Sequence, residues 1–229
     1  MDGVYTADPR IVKNARKIDE IIYDEMLELA TSGAKVLHNR SVEMAKKYGV
    51  ELVVRSSLTS EEGTVVKEVV KMEKMLITGV AADRNTVRIS AIGVKDEPGI
   101  AFKIFNTLAK NNINVDIILQ SVGRNGTKDI SFTVSEEDLK EALAILEEKK
   151  EVLTIKELTY STDVAKVSIV GAGMLSNPGV AAKMFESLFN SNININMIST
   201  SEIRITVLID EKDTEKAMIA IHDGFGLND

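Results

Sequence analysis

Shifted by 80 residues, the chain lies on itself. The stretch "VRISAIGVKDEPGIAFKIFNTLAKNNINVDIILQS" (87–121) matches "VSIVGAGMLSNPGVAAKMFESLFNSNININMISTS" (167–201). About 40% of the aligned positions are identical, far above chance for such a window, so one module occurs twice. Two of the three prolines, Pro98 and Pro178, stand before a glycine in this shared setting. In each copy a β-rich run (87–94, 167–170) precedes the Pro-Gly pair, and apolar residues then fall at helical spacing: Ala101, Ile104, Phe105 and Leu108, and again Ala181, Met184, Phe185 and Leu188. Proline suits the first turn of a helix, and Asp96 or Asn177 before it can cap free amides, so the repeated turn reads as a helix start.

Beyond that helix, "NNINVDIILQSV" alternates as a strand with Val115, Ile117 and Leu119 on one face. A second strand follows in "KDISFTV", then an amphipathic helix over about 136–148, then a strand-like "TIKELTY". The order β-α-β-β-α-β is the split βαβ, or ferredoxin-like, arrangement. The second copy runs through a strand at 203–209 and a helix near 214–222 but ends without a last strand. The run "MLITGVAA" (75–82) has no role in the first copy, so it is expected to fill that edge, which inserts the first module within the second.

The first 63 residues differ in character. "YDEMLELATSGAKV" and "SVEMAKKYGV" read as helices, the latter ended by Gly49, and "ELVVRSS" as a strand. This α/β pattern is too short for a complete doubly wound domain. A net charge of −7 argues against a nucleic-acid or anionic-membrane surface. The absence of cysteine removes disulfides, thiolate metal sites and cysteine nucleophiles, and fits a reducing cytoplasm. His38 and His222, the two histidines, lack metal-like spacing. No apolar run reaches membrane-spanning length.

These residues carry a resemblance. "DGVYTADPRIV", "YDEMLELATSGAKVLHNRSVEMA" and "VRSS" followed by "EEGTVV" are similar to the C-terminal portion of the aspartate kinase catalytic domain, an amino-acid kinase fold; Asn39 stands where many relatives carry proline. The doubled module, with "GAGMLSNPGVAAKMFESL" and "ININMISTSEIRITVLI", resembles that family's two regulatory ACT domains. The resemblance implies a mixed α+β and α/β chain with a kinase-domain remnant at 1–63, a linker at 64–74, a first ferredoxin-like ACT domain at 84–162 and a second assembled from 75–83 and 163–229. The family's N-terminal glycine-rich, lysine-bearing phosphate and aspartate site has no counterpart here, so the chain alone is expected to be inactive and to require no cofactor. ATP and magnesium belong to the intact enzyme, which phosphorylates aspartate on the route to lysine, threonine and methionine. A full-length kinase subunit is an expected partner. The alternative is a stand-alone amino-acid-binding module.

Two sets of site residues follow. In the remnant, the resemblance implies that Tyr5, Arg10 and Lys35 line the nucleotide site, where a ring packs on the base and fixed cations neutralise polyphosphate. In the modules, the Pro-Gly turn at a helix N-terminus is suited to an amino acid's carboxylate, with Pro98, Gly99, Ile100 and Ala101 forming the turn. Asp96 would accept the ammonium, and Asn114, Val115, Asp116 and Gln120 would flank it from the neighbouring strand. The second copy offers Ser176, Asn194, Ile195 and Thr200, without the acid. By resemblance the effector is lysine, threonine or both, and the modules join as a homodimer in the cytoplasm. The bland reading is that Asp96 caps a helix and that Asn114 and Asn194 close turns.

Two rival functions share the pattern. "IVGAGMLS" imitates a dinucleotide fingerprint with Ser176 in place of its last glycine. RNA-recognition modules use the same β-α-β-β-α-β order but stack bases on strand aromatics, and Phe132 is the aromatic that "DISFTV" offers.

Overall fold

Alternating apolar residues form strands where a neighbour completes their hydrogen-bond ladder, and here they do so in four sheets among the described residues. The computed structural model describes residues 2–69 and 76–228, apart from the side chains of Leu175 and Ser176. Strand β1 (Val4–Tyr5) pairs with β2 (Lys17–Ile18). Strand β3 (Glu20–Ile22) leads into helix α1 (Tyr23–Thr31), helix α2 (Asn39–Tyr48) and strand β4 (Leu52–Val54). Tyr23, Met26 and Leu29 recur every three residues on α1 and are buried against Ile21, Val42 and Val66. Gly49 ends α2 at φ 63°, while Gly49 and Val50 N–H groups return to the Lys46 and Ala45 carbonyls in a Schellman closure.

The expected linker at 64–74 begins instead with strand β5 (Thr64–Lys67), parallel to β3 and antiparallel to β4. The reason is local. Thr64 and Val66 alternate inward and are wholly buried, and the Thr64 hydroxyl donates to the Ile18 carbonyl at 2.6 Å while accepting the Val4 N–H at 2.7 Å. Residues 70–75, the rest of that linker and the first residue of the "MLITGVAA" run, lie outside the described residues.

The run does supply strand β6 (Gly79–Asp83). The first module follows as β7 (Val87–Lys95), α3 (Ile100–Ala109), β8 (Ile118–Gln120), β9 (Thr127–Val134), α4 (Leu139–Glu148) and β10 (Glu157–Ser161), with strand order β10-β7-β9-β8. Strand β8 is shorter than its alternation predicts. Ile117 is buried but Leu119 is exposed, because the Thr133 hydroxyl takes the Ile117 N–H at 3.0 Å and regular pairing with β9 starts at Ile118. Helix α4 begins at Leu139 rather than 136, since Ser135 and Asp138 close their own turn by a 2.8 Å hydrogen bond.

The second module is β11 (Val164–Val170), α5 (Val180–Asn190), β12 (Met197–Thr200), β13 (Arg204–Asp210) and α6 (Thr214–Gly224). Its strand order is β12-β13-β11-β6, so β6 takes beside β11 the place that β10 takes beside β7. The first module is thus inserted in the second: residues 85–165 form one compact unit, and 1–84 with 166–229 form the other. Strand β11 is buried on both faces, as is usual for a strand covered twice. Val167 and Ile169 pack with Met184, Leu188 and Ile221, whereas Val170 joins the remnant's core beside Ala81.

The remnant and the second module, separate domains by sequence, therefore share a unit. Ala7 and Val12 enter the second module's core. His222 of α6 is fully buried with Nε2 2.9 Å from the Thr6 hydroxyl, which also accepts the Arg16 N–H at 3.0 Å. Burial pushes the His222 pKa below its usual value, and the buried ring bridges α6 to Thr6 rather than facing an open site.

Candidate functional site

The Pro-Gly pair makes the same turn twice, but not the one its proline suggests. Gly99 has φ 88° and ψ −7°, Gly179 has φ 93° and ψ −3°, and each is the residue that flanks its helix N-terminus. With the Ile100 N–H directed at the Glu97 carbonyl (3.4 Å), Glu97–Pro98–Gly99–Ile100 is a type II turn, whose third position favours glycine because φ is positive. Proline thus lies outside the helix rather than in its first turn, and α3 has no side-chain cap. Asp96 is no helix cap either. Its carboxylate Oδ1 lies 3.0 Å from the Lys128 ammonium, and its N–H donates to the Gly126 carbonyl at 2.9 Å.

Around this acid the other expected residues are spread along one module. Pro98, Gly99, Asn114, Asp116 and Gln120 are exposed, Ala101 and Val115 are half-buried, and Ile100 is wholly buried in the core, so only its backbone faces the turn. Lys128, Gly123 and Gly126 were missed by the sequence reading. The two glycines come from the connection between β8 and β9 and Lys128 from the start of β9, and the Asn125-Gly126 pair, both at positive φ, is the signal that marks such a hairpin.

In the second copy, the Asn177 side-chain amide donates to the Gly173 carbonyl at 2.8 Å. Asn194 and Thr200 are exposed and Ile195 packs on the core; the side chain of Ser176 lies outside the described residues. The segment that precedes α5 and the start of β13 are both held from the remnant. Glu25 of α1 accepts the Ala172 N–H at 2.8 Å, and Glu28 lies 3.1 Å from Arg204.

That clamp disposes of the dinucleotide reading. The amide a phosphate would need is taken by a carboxylate, and β11 sits in an antiparallel sheet rather than at the switch point of a parallel one. Gly171 serves packing instead, since a Cβ there would stand 2.5 Å from the Ile77 Cα. Phe132 is fully buried, edge-on to Phe105 with centroids 5.5 Å apart, and so offers no platform for a base.

In the remnant, the Tyr5 hydroxyl donates to the Asp2 carboxylate at 3.0 Å, and burial followed by that bond raises the Tyr5 pKa. Arg10 grips Asp8 through Nη2 at 2.6 Å and Nε at 3.0 Å; its hydrogen bonds hold Asp8 below the usual carboxylate range. Lys35 is exposed between α1 and α2. The ring and the guanidinium thus each bind a neighbouring acid.

The comparisons follow this division. The ACT domain family matches residues 87–149 and 167–225, and the amino acid kinase family matches residues 1–56. The aspartokinase of Bacillus sp. (strain MGA3) is 49% identical over 227 residues, which cover 99% of this chain and 55% of that relative. The chain thus spans about half the length of the curated relatives it matches. A solved structure of aspartokinase alpha and beta subunits is 47% identical with a TM-score of 0.62, over 66% of this chain and 99% of that one. E. coli aspartokinase III, solved with lysine and aspartate, is 28% identical with a TM-score of 0.76, over 98% of this chain and 50% of that one. No described helix is long and apolar enough to cross a membrane. The chain belongs to the ACT domain family and corresponds to the C-terminal, regulatory part of the aspartokinases.

Proposed function

We propose that the chain senses a free amino acid, lysine or threonine, on behalf of an enzyme that transfers the ATP γ-phosphoryl group to the side-chain carboxylate of aspartate. The observation that carries this reading is Asp96, a carboxylate with 45% of its side chain exposed beside a type II turn at the start of α3. A carboxylate next to free helix amides offers the two charges of a zwitterion their opposite partners. The solved E. coli relative that holds lysine and aspartate supports the ligand class. The amino acid kinase family matches residues 1–56, so in this reading ATP and magnesium are handled by a kinase subunit that the chain regulates, a partnership that the solved structure of aspartokinase alpha and beta subunits supports. The absence of cysteine fits action in the cytoplasm.

The expected result is a rise in melting temperature with millimolar lysine or threonine. A ligand bound only by the folded state stabilises it by about 2.7 kcal/mol at a hundred times its Kd. For a chain of this size each kcal/mol moves the midpoint by about 2–4 °C. Differential scanning fluorimetry in which neither amino acid shifts the curve would refute the sensing role.

The same reading includes a homodimer. Strand β8 is a sheet edge with Ile118 and Leu119 exposed, and Val122 just beyond it is 88% exposed, an arrangement that invites pairing with a second copy. Sedimentation velocity is expected to show a dimer that dissociates on dilution. A monomer at every concentration would contradict it.

A further inference from the structure

Asp96 already holds an ammonium group. Lys128 reaches its Oδ1 at 3.0 Å with only 11% of the lysine side chain exposed, whereas 45% of the aspartate remains open. On the other oxygen, Gly123 comes so close that a Cβ there would lie 2.3 Å from Oδ2. The neighbouring cations are engaged elsewhere, because Lys95 and Lys103 both pair with Glu97, at 2.8 and 3.3 Å. Among the described residues the second copy has none of this apparatus. Its hairpin closes directly, with the Ser201 N–H on the Arg204 carbonyl at 2.8 Å, and serine stands in place of the acid. The acid and the hairpin that brings its lysine occur together in one module.

An amino acid's ammonium and that of Lys128 have the same charge and the same donors, and the approach to one carboxylate oxygen is narrowed by Gly123. We propose that Lys128 is a built-in competitor: its ammonium occupies on Asp96 the place that the effector's ammonium takes, and this exchange sets the effector concentration to which the module responds. The inference rests on the reading of Asp96 as the effector's acceptor. It adds that binding exchanges one cation for another, so the electrostatic gain from the effector is reduced by the contact it breaks. With Lys128 in place the pair is neutral; without it the site carries an uncompensated negative charge that attracts an ammonium more strongly.

Isothermal titration with L-lysine and L-threonine tests this on the wild type, Lys128→Met, Lys128→Gln, Lys128→Arg and Asp96→Ala. Both neutral variants are expected to bind about three- to tenfold more tightly than the wild type, a partly exposed ion pair having been removed from competition. Lys128→Arg retains a competing cation and stays near the wild type, and Asp96→Ala binds more weakly. Gln keeps a hydrogen-bond donor at the position should the Met variant fail to fold. Neutral variants that fold and bind equally or more weakly overturn the competition while leaving the sensing role intact. Binding of neither amino acid by any variant overturns both.

Discussion

Gly33→Ala is expected to destabilise the chain by more than about 4 kcal/mol and to leave little soluble protein. Gly33 has φ +108°, and a Cβ there would stand 2.1 Å from the Ala82 carbonyl oxygen and 2.7 Å from its carbon. Both obstacles are backbone, so no rotamer change relieves them. The close approach is where the end of α1 meets β6, the strand that completes the second module's sheet. Gly49→Ala is the control. It too is at positive φ (+63°), but nothing lies within 4 Å of the added methyl, so a loss of only about 1–2 kcal/mol is expected. Thermal denaturation compares the two. A Gly33→Ala protein that melts with the Gly49→Ala protein would mean that α1 and β6 can separate freely, against the shared core of the remnant and the second module.

Phe132→Ala is expected to cost about 3–5 kcal/mol, read as a lower urea midpoint at unchanged slope. Phe132 is the largest of the wholly buried side chains, set on β9 between Ile89 of β7 and the edge of Phe105. No polar group is left behind, so the loss is that of apolar contact and of the cavity that remains. The effector response should weaken with it, because Phe132 packs across from Ile89 on β7, the strand that leads directly to Asp96. A midpoint within the error of the wild type would show that the first module's core collapses around the gap, and would remove the rigid support assumed for the Asp96 site.

Much of this architecture is legible without coordinates, for a physical reason. Helical spacing at Ile104 and Leu108, and its echo at Met184 and Leu188, reports which face must leave water, and all four are fully buried. The 80-residue repeat extends that reading to the whole βαββαβ order, and the missing last strand of the second copy points to the run that forms β6. Strand ends are harder. Thr64–Lys67 falls within the expected linker, since four residues carry too little periodicity to mark a strand, and what makes them one is partners from β3 and β4 on either side. The sequence places the Pro-Gly turn but not its geometry, since proline at the second position of a type II turn and proline in a helix's first turn share the same φ.

The sequence by itself determined the doubled module, the faces each helix buries and the residues around which a site can form, because these depend on local periodicity and on the chemistry of single side chains. Only the tertiary structure decided which groups meet. Asp96 finds Lys128 through the register of β7 on β9, Glu25 reaches the amide of Ala172, and Thr6 bonds His222 across 216 positions. Such pairings follow from the packing of elements whose order along the chain says nothing of their contacts. A carboxylate that looks free in the sequence is therefore already bound to a lysine in the fold, and its availability to a ligand is set by that partner.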